Sequence, residues 1–318
     1  MLAVAVEEPI LEKIEKGYDV KSGGSLTVLS EFGAIEIQTA EQDKVEVVIT
    51  KESKSNLIKA SQEVLEDFEL AFEHEGSDVH IRGAFKQGLE HWQKQLNKLK
   101  IHFLIIVPQQ YNTDLNTTNG GISVANLTGD ARAKTSGGSL CFQDITGTVV
   151  GHTSGGSIEA VNVKGDVQVR TSGGSIRLGA IQGFVSGRTS GGSIKVVDCS
   201  GGTEVRTSGG GIWLGGIGRN VTARTSGGSI KANITIQPQG ECSLRTSGGQ
   251  ITCTLIPDIA VDLEAKASGG RVSTDFAVES TIQGKVPKNR LEGSINGGGP
   301  LLKLRTSGGN IHLQKGQN

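Results

Sequence analysis

Apolar and polar residues alternate with a period of two along most of this chain, in short bursts on either side of a repeated Thr-Ser-Gly-Gly word. Counting back two and four from each anchoring Thr gives Ala133 and Ala131, Val169 and Val167, Val205 and Thr203, Ala223 and Val221, Leu244 and Cys242, Leu304 and Leu302. Counting forward five and seven gives Leu140 and Phe142, Ile176 and Leu178, Ile194 and Val196, Ile212 and Leu214, Ile311 and Leu313. Alternation of this kind predicts strands with one buried face. The Ser-Gly-Gly between them predicts a sharp corner, with at least one residue at positive φ. A third apolar position, ten after the Thr, holds Leu127, Ile145, Val163, Ile181, Cys199 and Ile217, with a Gly two residues later in most copies as a second corner.

The anchoring Thr falls at Thr117, Thr135, Thr153, Thr171, Thr189, Thr207 and Thr225, always 18 residues apart. Thr246 and an aberrant Ala267 follow at steps of 21, and Thr306 comes 39 later, as if one coil with a long excursion intervened. A fixed short period predicts a solenoid. The fold class expected is therefore mainly β: a single-stranded parallel β-helix with 18-residue coils stacked at about 4.8 Å. Ten such coils would make a rod roughly 50 Å long. The six-residue subrepeat of left-handed hexapeptide helices is absent, which favours a right-handed coil.

Two domains are expected, 1–116 and 117–318. In the first, Ser22 to Leu26 and Phe32 to Ile35 look like imperfect coil fragments, and Val45, Val47 and Ile49 alternate as a strand. Leu57, Ile58, Ser61, Val64, Leu65, Phe68 and Phe72 follow helical spacing, and a second helix is expected around Leu89, Trp92, Leu96 and Leu99. Such an α+β segment would cap the solenoid, whose bare end otherwise offers unpaired strand edges. At the far end, Gly284 to Pro300 reads as a loop inserted before the last coil.

The ordered set of TSGGSI repeats, opening at Asn119-Gly120-Gly121-Ile122 and closing at Asn296 to Gly299 and Thr306 to Ile311, resembles the bacterial putative-adhesin family, a domain of unknown function. The resemblance covers roughly residues 20 to 318. It implies a β-solenoid of envelope-associated proteins and supplies no catalytic residues.

Charge divides the chain. Residues 1 to 116 carry 20 acidic and 12 basic side chains, and the rest carry 13 and 20, so a net −8 faces a net +7. The basic half suits an anionic partner or the acidic half. Much of its charge falls in one column, the residue before each Thr: Lys134, His152, Arg170, Arg188, Arg206, Arg224, Arg245, Lys266 and Arg305. A second outward column adds Arg177, Lys195, Lys231 and His312. At about 5 Å two such charges repel by under about 1 kcal/mol in water, and by about 3 kcal/mol at an effective dielectric of 20. Either these cations are neutralised by corner carbonyls and by carboxylates such as Glu159 and Glu204, or they form a strip for a polyanion. On the second reading Arg170, Arg188, Arg206, Arg224, Arg245, Arg177 and Lys195 bind an anionic glycan, an envelope polymer or lipid headgroups. Nucleic acid is disfavoured, since Trp213 is the lone aromatic of the strip.

Catalysis is not expected. The outward columns hold no recurrent Asp/Glu pair, the six histidines are scattered, and no phosphate-loop Lys follows the glycines. No cofactor or metal is predicted. The four cysteines lack metal spacing and are expected as small core residues. Four Asn-X-Thr matches, beginning at Asn116, Asn126, Asn220 and Asn233, read as chance in a turn-rich repeat, and the inward Thr column argues against an ice-binding face. Ala3-Val4-Ala5 is compatible with the remnant of an export signal, and no run is long enough to span a membrane. The expected role is thus adhesin-like and extracytoplasmic; the alternative is a scaffold that self-associates through its solenoid.

Overall fold

The computed structural model describes residues 10–53, 58–94, 96–217, 219–280 and 287–316. The N-terminal Ala3-Val4-Ala5 and Leu57 of the expected first helix lie outside these. The chain is mainly β, with two long, mostly parallel sheets, and it divides into two compact units, Met1–Gly147 and Thr148–Asn318.

In the first unit the suspected coil fragments are real strands. Ser25–Phe32 runs parallel to both Asn112–Asn119 and Asp78–Phe85, and Ala34–Ala40 runs parallel to both Leu99–Pro108 and Ile122–Ala125. Lys44–Ser53, which buries Val45, Val47 and Ile49, pairs antiparallel with Leu99–Pro108 and with Ile10–Asp19. Among the described residues one α-helix, Ile58–Asp67, is present, but it stops short of the expected length. Phe68 and Phe72 instead belong to the strand Phe68–Glu75, antiparallel to Asp78–Phe85. The buried Lys51 ends the helix by donating to the carbonyls of Leu65 (3.3 Å) and Phe68 (3.0 Å), where a cation meets the negative end of the helix dipole.

The second predicted helix is a run of turns with one short 3-10 segment, Leu96–Lys98, and Leu99 already opens a strand. Gly88, at φ 79°, turns the chain just before this run. Asp67 then holds the turn by accepting from the Trp92 indole (2.6 Å) and from the backbone and side chain of Gln87 (both 3.2 Å). Burial pushes the Asp67 carboxyl up, but these hydrogen bonds and nearby His91 outweigh it and hold it below its ordinary range.

In the second unit the strands from Val149 to Leu255 pair in parallel with their copies in the next coil. Val167 sits opposite Val185, Val185 opposite Thr203 and Thr203 opposite Val221 in one sheet; Ile176, Ile194, Ile212 and Ile230 follow one another in the other. All the inward columns read from the sequence are buried. Three cysteines, Cys199, Cys242 and Cys253, are core residues as expected, but Cys141 is exposed on the outward side of its strand.

The corners overturn one expectation. None of the corner glycines at 173, 174, 191 or 192 has a positive φ. What demands glycine is close approach: a Cβ on Gly192 would stand 2.1 Å from the Gly174 carbonyl oxygen, and one on Gly210 would stand 2.2 Å from that of Gly192. The buried Thr stitches the same corner. Thr189 Oγ1 donates to the Gly174 carbonyl (2.8 Å) and accepts from the Gly192 amide (3.3 Å), and Thr171, Thr207 and Thr225 repeat the pattern. Positive φ occurs elsewhere: nine residues after the Thr, at Asn126, Asp144, Asn162, Ala180, Asp198 and Gly216, and at the second-corner glycines Gly129, Gly147 and Gly165.

The C-terminal end is interleaved. The last strands in sequence, Leu301–Thr306 and Ile311–Lys315, pair on one side with Cys242–Thr246 and Ile251–Leu255. On the other side they pair with Val261–Ala267 and Val272–Thr274. The last coil of the chain is therefore not the last coil in space. The segment expected as a loop before it, whose residues 284–286 lie outside the described ones, contains a strand, Arg290–Ile295, which covers Val261–Ala267 in antiparallel fashion.

Candidate functional site

Strand register fixes the cation column without any choice of rotamer. Arg170 lies opposite Arg188, then Arg206, Arg224, Arg245, Arg305 and Lys266 in unbroken order. Each arginine occupies an outward position beside a buried Thr, and Lys266 one beside the buried Ala267, because residues next to each other in a strand face opposite ways. Five of these side chains, Arg170, Arg188, Arg206, Arg224 and Arg245, line a single groove of about 450 Å³. The Thr residues form its inner wall and Ser190, Ser208, Ser226 and Ser247 of the corners complete its rim.

The groove is incompletely neutralised. Glu204 Oε1 bridges Arg188 (3.1 Å) and Arg206 (3.0 Å), with both arginines about half exposed. Further along, Glu264 pairs with Arg305 (3.5 Å) and Lys303 (3.4 Å). Among the described residues no carboxylate reaches Arg170, Arg224 or Arg245. Five guanidinium groups thus share one carboxylate at the coil spacing of about 4.8 Å.

Arg177 and Lys195 are not part of this groove. They lie opposite each other in the other sheet. There Arg177 pairs with Glu159 (3.5 Å), and Lys195 Nζ stands 4.8 Å over the Trp213 ring. Both cations are already engaged, so the seven-residue strip expected from sequence separates into a five-arginine groove and two satisfied surface cations. The neutralised reading holds for Arg177, which pairs with Glu159, and only in part for Arg188 and Arg206, which share the single carboxylate of Glu204.

A second depression in the same unit, of about 420 Å³, lies by the far corner around Phe184, Glu204, Arg219 and Asn220. Sequence columns did not single it out, although Phe184 is an aromatic at a corner position that in other coils holds Asp130, Thr148, Asp166, Gly202 and Asn220. Among the described residues no group of three or more His, Cys, Asp or Glu side chains could hold a metal, and no helix is long and apolar enough to cross a membrane.

Among curated proteins none matches this chain. Solved structures give distant alignments. A "putative cell adhesion protein" from Clostridium sporogenes is 14% identical over 97% of this chain and 100% of its own, with a TM-score of 0.26. A "putative adhesin" from Bacteroides fragilis is 13% identical over 95% and 97%, at 0.33, and a "putative lipid binding protein" from Parabacteroides distasonis is 14% identical over 98% and 98%, at 0.31. At such scores no role passes from them to this chain. The family comparison is of another order: the model of the Toastrack DUF4097 family matches residues 25–314, and the chain belongs to that family.

Proposed function

We propose that this protein is a non-catalytic, adhesin-like β-solenoid that binds an extended anionic polymer along its arginine groove at the cell envelope. The observation that carries the reading is the under-neutralised row Arg170, Arg188, Arg206, Arg224 and Arg245 in one groove. Like charges at the coil spacing repel by under about 1 kcal/mol per neighbouring pair in water, rising to about 3 kcal/mol at an effective dielectric of 20 where they are less solvated. A ligand with many regularly placed anions relieves several such repulsions at once, whereas a single small anion relieves one or two. Arginine suits the task because its planar fork meets a carboxylate, sulfate or phosphate with two parallel hydrogen bonds. The same reading makes the α+β segment at 1–116 the cap of a single-chain solenoid.

The test compares wild type with the Arg170→Ser/Arg188→Ser/Arg206→Ser/Arg224→Ser variant. Probes are polygalacturonate, long-chain polyphosphate and vesicles containing phosphatidylglycerol. Wild type should bind at least one probe, more weakly as salt rises, and the variant should lose most of that affinity while keeping its far-UV circular dichroism. Which probe is bound separates glycan, polyphosphate and lipid sources of the anion. Equal binding by a folded variant would remove the proposal. Concentration-dependent light scattering by wild type alone would favour the scaffold alternative.

A further inference from the structure

Among the described residues four large apolar side chains are exposed, and Phe184, at 46%, is the one aromatic among them. Its ring does not project freely. It lies over the backbone of Gly202 in the next coil, where a Cβ would stand 3.3 Å from the ring. The glycine lets the ring lie against the corner, where it forms a wall of the second groove. Around it stand Glu204, Arg219, Asn220, Thr222 and Gln239.

Four of these, Arg219, Asn220, Thr222 and Gln239, make no side-chain hydrogen bond or ion pair within the described residues. One flat apolar surface is therefore ringed by unspent donors and acceptors on short and planar side chains. A pyranose ring has the matching chemistry: an apolar face of C–H bonds and an equator of hydroxyl groups that both donate and accept. An aliphatic or purely aromatic ligand would leave the polar ring unsatisfied, and a small inorganic anion would leave the phenyl face uncovered.

We propose that this groove is a saccharide-binding subsite, with one sugar ring stacked on Phe184 and its hydroxyls hydrogen-bonded by Asn220, Gln239 and Thr222. Arg219 accepts no proton and donates to ring or glycosidic oxygens. Glu204 faces this groove and also ties Arg188 and Arg206 of the arginine groove. The subsite needs no charge on the sugar and stands independently of the polyanion reading.

An array of neutral and acidic oligosaccharides tests it, with wild type, Phe184→Ala, Phe184→Trp and the four-arginine variant. Wild type should bind neutral oligosaccharides. Phe184→Ala should weaken that binding by about tenfold or more, equivalent to about 1.4 kcal/mol, and Phe184→Trp should retain it. The four-arginine variant should keep neutral binding even where it loses acidic polymers, which separates failure of this subsite from failure of the groove. Absence of any neutral saccharide bound by wild type, or a Phe184→Ala affinity within twofold of wild type, overturns the proposal. So does a Phe184→Ala variant that loses self-association and nothing else, since the ring would then be a protein contact.

Discussion

Thr203 is 2% exposed, and its hydroxyl has no hydrogen-bond partner among the described residues. Its register neighbours one coil away on either side are Val185 and Val221, so the column itself shows which side chain fits. An unpaired buried hydroxyl costs about 1–3 kcal/mol, and valine has nearly the same shape. Thr203→Val is expected to raise stability by about 1–2 kcal/mol, seen as a higher midpoint in urea with an unchanged slope. The anchoring Thr column behaves oppositely. Replacing Thr189 by Val would strand the Gly174 carbonyl and the Gly192 amide, both of which its hydroxyl serves. Two threonines on the same buried face thus have opposite roles, and only their partners tell them apart. Sequence alternation reported that both point inward; it carried no information on which carbonyls come within reach.

Two neighbouring glycines of one corner separate in the same way at the scale of the element. A Cβ on Gly192 would penetrate the backbone of the coil below, at 2.1 Å from the Gly174 oxygen and 2.4 Å from its carbon. A Cβ on Gly191 would stand 3.2 Å from the Gly173 oxygen, a contact that a small shift relieves. Gly192→Ala should therefore cost about 3 kcal/mol or more, since the obstacle is backbone and cannot change rotamer, and Gly191→Ala should cost less than about 1 kcal/mol. Thermal denaturation of the two single variants checks the contrast; similar midpoints would refute the close-approach account. The repeated word is thus legible as a corner, but its reason is not. Sequence reading assigned the glycines to torsional freedom, whereas stacking distance selects them. Helical spacing misled for a related reason in the first unit. Phe68 and Phe72 fit a helical face and a strand equally well over so short a run, and pairing with Asp78–Phe85 decided for the strand.

At the scale of the whole second unit, chain order and spatial order part company at the C-terminal end. In a solenoid each coil rests only on its neighbours. Removing the last coil in sequence from a simply wound solenoid would expose one end and disturb little else. Here Leu301–Thr306 and Ile311–Lys315 lie between two other coils. Deleting residues 300–318 is therefore expected to strip Val261–Ala267 and Arg290–Ile295 of protection as well, because among the described residues the strand pairing that joins them to the stack runs through Leu301–Thr306. Hydrogen exchange by mass spectrometry reads this directly. Persistent protection of peptides covering 261–267 in the truncated chain would contradict the interleaved order.

The sequence alone determined the coil: its 18-residue length, which residues face inward, where it turns, and that arginines recur once per turn on the outside. Each follows from local periodicity, because a strand's two faces and a corner's small residues are written in neighbouring letters. Tertiary structure alone decided how those coils meet. It brought Arg170, Arg188, Arg206, Arg224 and Arg245 to one groove and left Arg177 and Lys195 on another sheet. It laid Phe184 over Gly202 and slid the final coil inside the stack. These are contacts between residues far apart in sequence, set by backbone distance and by the partners each side chain finds, and no local pattern encodes them.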